Sequence, residues 1–329
     1  MSKRDTLKKL SSLTLVGVLS TTFALSGGTA VAAAWPERPV RLVVPFAPGG
    51  SNDVIARKLA DKLSKSMGQT FIIENRAGAG GVVGAGYVAA AAPDGYTFLF
   101  ISGSLATSAA VQKTSYDVKT AFEAVSLVAD APFVVITRKD FPAKDIKGLL
   151  SYAKDNPGKI NFGSAGLGDS SQMATELLAN KAGVKMQTVG YKGIAPAQMD
   201  LVAGRLDMII TTMASIRGTP TDELPKLAFT GEERDPDFAH IPTVKEETGL
   251  NYVVNVWWGV FGPKGLDTTA RDKLNAEIRK AVSSEDFAQF LKSAGARPKA
   301  STPAQLQALL ESDVDQWMQT AEAAGIRAK

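Results

Sequence analysis

Two glycine- and serine-rich stretches, residues 45–53 and 163–171, are where this chain's residue types and spacing could do chemistry. The first runs Pro45-Phe46-Ala47-Pro48-Gly49-Gly50-Ser51-Asn52-Asp53. The second carries Ser164, Ala165, Gly166, Gly168, Asp169, Ser170 and Ser171. Each follows an apolar β-branched run and feeds a segment of helical periodicity. The first turn of a helix has free backbone N–H groups and a partial positive charge. Small residues let a ligand approach those groups, so the design suits an anion without Lys or Arg. The same residues also read as ordinary turns with N-caps, Ser51, Asn52 and Asp53 in one and Asp169, Ser170 and Ser171 in the other. Two such loops at equivalent places in two units favour an anion held between them.

Catalytic chemistry has little to work with. There is no cysteine, which removes disulfides, thiolate metal sites and cysteine nucleophiles. The one histidine, His240, reads as an exposed loop residue rather than a base or metal ligand. Phe162-Gly163-Ser164-Ala165-Gly166 does not match a hydrolase nucleophile elbow. Gly78-Ala79-Gly80-Gly81-Val82-Val83 lacks the third glycine of a dinucleotide fingerprint and reads as a tight turn into an Ala-rich helix. No cofactor or metal is expected, and the chain is not expected to be an enzyme.

The elements that position the loops alternate strand and helix. Strands are expected at Val40–Phe46, Thr70–Glu74, Tyr96–Ile101, Phe133–Thr137, Lys159–Phe162 and Asp207–Ile210. Helices are expected after Ser51 up to Gly68, over Asp145–Asn156, over Gln172–Ala182 with Gly183 as C-cap, and through most of the chain beyond Asp267, ending with Thr302–Ala324. Such alternation argues for α/β units with parallel sheets. A chain of 329 residues usually divides its core into two domains.

The first 34 residues differ in kind. Lys3, Arg4, Lys8 and Lys9 precede an apolar stretch, Leu13–Leu25, and Ala32-Ala33-Ala34 follows. That is the pattern of a secretory signal peptide, with cleavage expected after Ala34. Ser2-Lys3-Arg4-Asp5-Thr6-Leu7-Lys8 approaches a twin-arginine signal with Lys3 in the place of the first Arg, so Sec export is favoured. The leader carries most of the chain's net charge of +4, so the mature protein is close to neutral, near +1. No basic run suggests nucleic acid. No later segment is apolar enough to span a bilayer.

The order of motifs resembles the Bug/TctC family, the periplasmic receptors of tripartite tricarboxylate transporters. It begins with Trp35-Pro36-Glu37-Arg38-Pro39-Val40 and Val44 to Asp53, and continues through Glu74-Asn75-Arg76-Ala77-Gly78-Ala79-Gly80-Gly81 and Ala92-Pro93-Asp94-Gly95-Tyr96. Phe162 to Gly166, Tyr191-Lys192-Gly193-Ile194-Ala195-Pro196-Ala197, Ile241-Pro242-Thr243-Val244 and Trp257-Trp258-Gly259 complete it across the mature chain.

The resemblance implies a type II periplasmic-binding-protein fold, two α/β domains with a ligand cleft between them. It implies a small carboxylate as ligand, the membrane subunits of a transporter as partner, and a periplasmic monomer. Presentation of the ligand to the periplasmic domain of a sensor kinase is an alternative role. Carried over, the site comprises Phe46 to Asp53, Ser164 to Ser171, Ser102, Ser104, Tyr191 and Lys192, with Asp53 either capping its helix or touching ligand. Phe46, Tyr191 and Trp258 are aromatic candidates for the pocket or the core.

The departures carry information. Asn52 stands where the family often has Thr, and Gly190 where Pro is common. Ile210-Thr211-Thr212-Met213-Ala214-Ser215 replaces a stretch that often contains Asp. Thr211 and Thr212 therefore imply a ligand without an amino group, a plain di- or aromatic carboxylate. The expected division is 1–34 leader, 35–135 with 253–329 as one domain, and 136–252 as the other. Hinge closure is expected about 130–137 and 250–258.

Overall fold

The computed structural model describes residues 35–323 and 325–326; the expected leader and its cleavage site lie outside the described residues. The described chain contains eleven strands. They are β1 (Val40–Val44), β2 (Phe71–Asn75), β3 (Thr97–Ser102), β4 (Phe122–Pro132), β5 (Val134–Thr137), β6 (Asn161–Ser164), β7 (Gln187–Gly190), β8 (Met208–Thr211), β9 (Lys226–Phe229), β10 (Asn255–Pro263) and β11 (Arg297–Pro298).

They form two sheets, each the centre of one α/β lobe. The first has the order β11-β4-β10-β3-β1-β2 and the second β7-β6-β8-β5-β9. The expectation of parallel sheets holds only in part. β1 lies parallel to β2 and β3, and β6 parallel to β7 and β8. β10 runs antiparallel to both β3 and β4, and β5 antiparallel to β8 and β9. The reason lies in the crossings. The chain leaves the first sheet after β4, enters the second at β5, and returns in β10, so β5 and β10 each enter their own sheet from the direction of the other lobe.

Local sequence explains the elements around the cleft. β1 is Val-Arg-Leu-Val-Val with all but Arg41 buried, as suits a strand covered on both faces. The helix Ser51–Met67 buries Ile55, Ala56, Leu59, Ala60 and Leu63, one face at helical spacing. Gly68 ends it in the left-handed region, φ 70°, its N–H donating to the Ser64 carbonyl. Gly183 closes the helix Ser170–Ala182 in the same way. Beyond Asp267 the helices Thr268–Ser283, Glu285–Ser293 and Pro303–Ala323 follow, interrupted by β11. The last packs on β4 and on the helix Ser104–Val111, and Trp257 Nε1 donates to Asp313 Oδ2 at 2.9 Å. No helix among the described residues is long and apolar enough to cross a membrane.

The two crossings are tied by one buried side chain. Phe133 N–H, between β4 and β5, donates to Thr230 Oγ1 at 2.8 Å. Thr230 Oγ1 donates in turn to the Val254 carbonyl, just before β10, at 2.6 Å. Backbone bonds from Thr230 N–H to the Phe133 carbonyl and from Val254 N–H to the Thr230 carbonyl, both 2.9 Å, complete the link.

Candidate functional site

The two loops are built differently, although their compositions read alike. In the first, the N-cap of the helix Ser51–Met67 is Gly50, in extended conformation and with no capping side chain. The first-turn N–H groups of Ser51 and Asn52 therefore face the cleft uncapped. None of Ser51, Asn52 and Asp53 caps. Asp53 turns outward and holds the loop from behind. Its carboxylate accepts from Gly49 N–H at 3.1 Å, Arg57 Nε at 2.9 Å and Asn75 Nδ2 at 2.9 Å. Asn75 Nδ2 also donates to the Phe46 carbonyl at 3.1 Å. Burial pushes the Asp53 carboxyl up, but the bonds from Arg57, Asn75 and Gly49 more than offset it and hold it below its ordinary value.

In the second loop the corresponding N–H groups are already taken. Asp169 is the N-cap of the helix Ser170–Ala182. Its carboxylate accepts from Ser171 N–H at 2.9 Å, Gln172 N–H at 3.2 Å, Ala165 N–H at 3.1 Å and the Ser171 hydroxyl at 3.0 Å. Burial nevertheless dominates and pushes Asp169 up to about 6. Only the first helix thus offers an open anion cradle.

A chain of hydroxyls crosses between the lobes. Asn52 Nδ2 donates to Ser102 Oγ at 3.4 Å, and Ser102 Oγ to Ser104 Oγ at 3.0 Å. Ser104 Oγ and Ser170 Oγ share a bond of 3.0 Å, and Ser170 N–H donates to Ser104 Oγ at 3.1 Å. Around this chain lies a cavity of about 40 Å³.

The cavity gathers twelve of the expected residues: Phe46, Gly50, Ser51, Asn52, Ser102 and Ser104 from one side, and Ala165, Asp169, Ser170, Ser171, Thr211 and Thr212 from the other. Three buried polar atoms in or beside it have no partner: Asn52 Oδ1, Ser164 Oγ and Thr212 Oγ1. Thr211 Oγ1 is instead bonded to Ser215 Oγ at 2.7 Å.

The other expected residues stand behind or beside the cavity. Ala47 N–H donates across the lobes to the Lys192 carbonyl at 2.9 Å, and Lys192 is exposed and not part of the lining. Pro48 and Gly49 are exposed, and Asp53 and Ser164 are buried behind the lining. Tyr191 donates its hydroxyl to Asp200 at 2.7 Å, away from the cleft. Trp258 is wholly buried in β10 and is not part of this lining. His240 is exposed in a turn.

Three apolar lining residues escaped the sequence reading: Phe133, Ile194 and Val256. Phe133 and Val256 lie at the two crossings, a position that the expected hinge at 130–137 and 250–258 could have suggested. Ile194 opens the helix Ile194–Val202 after a further strand–glycine turn.

Gly166 and Gly168 belong to a second contact, a seam of main chain beside the cavity. A Cβ on Gly166 would lie 2.8 Å from Gly80 N, and one on Gly168 3.0 Å from Ser108 Cα. Gln112 Nε2 donates to the Leu167 carbonyl at 2.6 Å and to the Ala79 carbonyl at 3.1 Å. The glycine turn 78–81 opens the helix Val82–Ala89, as expected of a tight turn, and also meets the opposite lobe.

Known proteins share this fold. Three solved structures overlay closely. The periplasmic binding protein BugD is 34% identical with a TM-score of 0.85, covering 90% of this chain and 100% of that one. Rpa4515 of R. palustris, solved with adipate, is 35% identical with a TM-score of 0.86 and the same coverage. MatC of Rhodopseudomonas palustris, solved with malate, is 31% identical with a TM-score of 0.82, covering 87% and 99%. These neighbours share the two-lobed binding-protein fold, with its cleft between the lobes. Residues 55–326 match the family described as tripartite tricarboxylate transporter family receptor, TctC. With a match of that extent behind the two-lobed cleft, the chain belongs to the Bug/TctC family of transporter receptors.

Proposed function

We propose that this protein is a periplasmic receptor that closes on a small carboxylate lacking an amino group and delivers it to the membrane subunits of a tripartite tricarboxylate-type transporter. One observation carries the reading. The uncapped first turn at Ser51 and Asn52 faces a cavity walled by hydroxyls, and no Lys or Arg enters it. Such a site holds a carboxylate through backbone N–H and hydroxyl donors. Thr212 in the lining, whose hydroxyl is free, supplies a further donor once a ligand enters. Similar proteins hold adipate and malate, dicarboxylates with no ammonium. Neither Thr211 nor Thr212 supplies an acid to meet one, and the one acid in the lining, Asp169, is engaged in capping its helix.

The moving parts in this reading are residues 35–135 with 253–329, and residues 136–252. They rotate about the crossings that Thr230 links. Ligand contacts from both lobes stabilise the closed form.

A thermal-shift screen of mono-, di- and tricarboxylates, aliphatic and aromatic, tests the class. Calorimetry then ranks adipate, benzoate and terephthalate against aspartate and glutamate. The reading expects a member of the first group to bind most tightly, in the micromolar range or below, roughly −8 kcal/mol. Tighter binding of either amino acid overturns it.

A further inference from the structure

An anion site would be expected to be lined by cations or by neutral donors. This one holds an acid. Asp169 is the one ionisable residue lining the cavity, and it is 4% exposed. No cation faces it. β6, β8 and the helix Ser104–Val111, all packed on its helix, contain no charged residue. On its own helix the nearest charge is Glu176, about two turns on and itself pushed up by burial. Tyr252 meets that helix through a bond from its hydroxyl to the Ala174 carbonyl. Across the cleft Asp53 is paired with Arg57, and at the start of the helix Ile194–Val202 Lys192 points out to solvent.

Three of the four bonds that Asp169 accepts fall on Oδ1, and Oδ2 accepts only Ser171 N–H. Oδ2 therefore keeps capacity for one more bond. A bound carboxylate would place a second negative charge in the same small, poorly hydrated space. Two carboxylates in one site do not both stay ionised; one is driven to hold a proton.

Resting on the carboxylate reading above, we propose that Asp169 is a specificity-determining residue that takes up a proton from solvent as the ligand binds, so that the receptor captures a carboxylate together with a proton. The proton forms an O–H bond on the Asp169 carboxyl, which then donates to the ligand carboxylate. Opening the cleft returns it to solvent. Since burial already holds Asp169 at about 6, a nearby anion brings its titration into the neutral range. The sign follows from linkage. The bound state holds more protons than the free state, so affinity rises as pH falls. Above pH 6 an aliphatic dicarboxylate stays ionised, so its own titration does not mimic the effect.

The test is calorimetry of the mature protein with adipate, and with benzoate and terephthalate in parallel. Each is titrated near pH 7 in buffers of different ionisation heat. The dependence of the apparent heat on that quantity counts the protons taken up. We expect several tenths of a proton per ligand and roughly five- to tenfold tighter binding at pH 6 than at pH 8. Asp169→Asn should abolish the uptake, flatten the pH dependence and bind more tightly than the parent at pH 8. A merely structural cap would not give that last result. Should the variant fail to fold, the wild-type measurements decide alone.

Binding with no proton uptake and no pH dependence overturns the proposal and leaves the carboxylate reading standing. Binding of glutamate in preference to adipate without uptake also overturns it, since a ligand ammonium then meets the Asp169 charge. No heat from any carboxylate between pH 5.5 and 8 removes the carboxylate reading and this proposal with it.

Discussion

Replacing Gly80 by alanine should separate lobe closure from everything else the protein does. Gly80 sits in the turn 79–81 with φ +61°, its carbonyl accepting from Ser108 Oγ at 2.8 Å. A Cβ there would lie 2.1 Å from the Leu167 carbonyl oxygen of the opposite lobe. Ordinary contact begins near 3.4 Å, so the lobes must stay about 1.3 Å further apart at that point. Both partners are main chain, and neither can rotate away. At that spacing the bond from Gln112 to Leu167 and the two bonds between Ser104 and Ser170 pass out of range. At about 1 kcal/mol each, closure loses roughly 3 kcal/mol. Affinity should then fall about a hundredfold.

The backbone strain of a left-handed alanine, roughly 1–2 kcal/mol, acts on the open and closed forms alike and lowers only stability. Gly68→Ala isolates that strain: its φ is +70° and nothing lies within 4 Å of the added carbon. Calorimetry with the tightest carboxylate, together with small-angle scattering with and without ligand, reads both effects. Gly68→Ala should melt lower and bind normally. Gly80→Ala should bind weakly and show no ligand-driven contraction. Equal affinities for the two variants, or a Gly80→Ala affinity within threefold of the parent, would refute the closure argument.

Other changes address the remaining links. Ser104→Ala removes the hydroxyl that joins the lobes; affinity should drop roughly five- to thirtyfold, with a melting temperature within about 2 °C of the parent, since about 1–2 kcal/mol of bonding is lost mainly from the closed form. Thr230→Val leaves the buried Phe133 N–H without its side-chain acceptor. That costs about 1–3 kcal/mol, so differential scanning calorimetry should show melting lowered by roughly 3–8 °C; an unchanged transition would mean that Thr230 does not hold the crossings together. Asp53 titrates below its unfolded value, so its stabilising bonds are fully present above about pH 4 and vanish as pH falls through the lower folded value. The stability gap between parent and Asp53→Asn, followed by thermal melts from neutral pH downward, should therefore be largest near pH 7 and close below pH 4.

Much of the scaffold could be read from the residues. Val40 to Val44, the helix ended by Gly68, and the helix ended by Gly183 all carry local signals that tertiary packing leaves in place. β10 was harder. Its residues are buried on both faces except Asn255, so Val-Trp-Trp-Gly-Val-Phe shows no alternation, and nothing local fixes its direction. The antiparallel centre of the first sheet follows from where the chain re-enters, which is a long-range fact. The apparent symmetry of the two loops broke for a similar reason. Asp53 and Asp169 both follow small-residue loops, but Asp53 is the third residue of its helix and Asp169 precedes its helix as the N-cap. Arg57, one turn later, and Asn75, at the end of β2, draw Asp53 outward. Asp169 has no such partner and turns onto its own helix. The Asp53–Arg57 spacing of four was readable; the reach of Asn75 was not. The contact of Gly80 with Leu167 joins residues far apart in sequence, and glycine leaves no side-chain trace of a meeting.

The seam beside the cavity is made largely of peptide groups: the turn at Gly80, the Leu167 carbonyl, Gly166, and the bond from Ala47 to Lys192. Apart from the bonds between Ser104 and Ser170, the polar contacts named here between the lobes are made by atoms outside the cavity lining. The lining can be recoloured, by exchanging Thr212, Phe133 or Val256, while the jaws keep the same bite. For protein engineers the proposed closure makes the molecule a frame in which the chemical question can be rewritten while the mechanical answer stays the same, read by a dye placed at the rim.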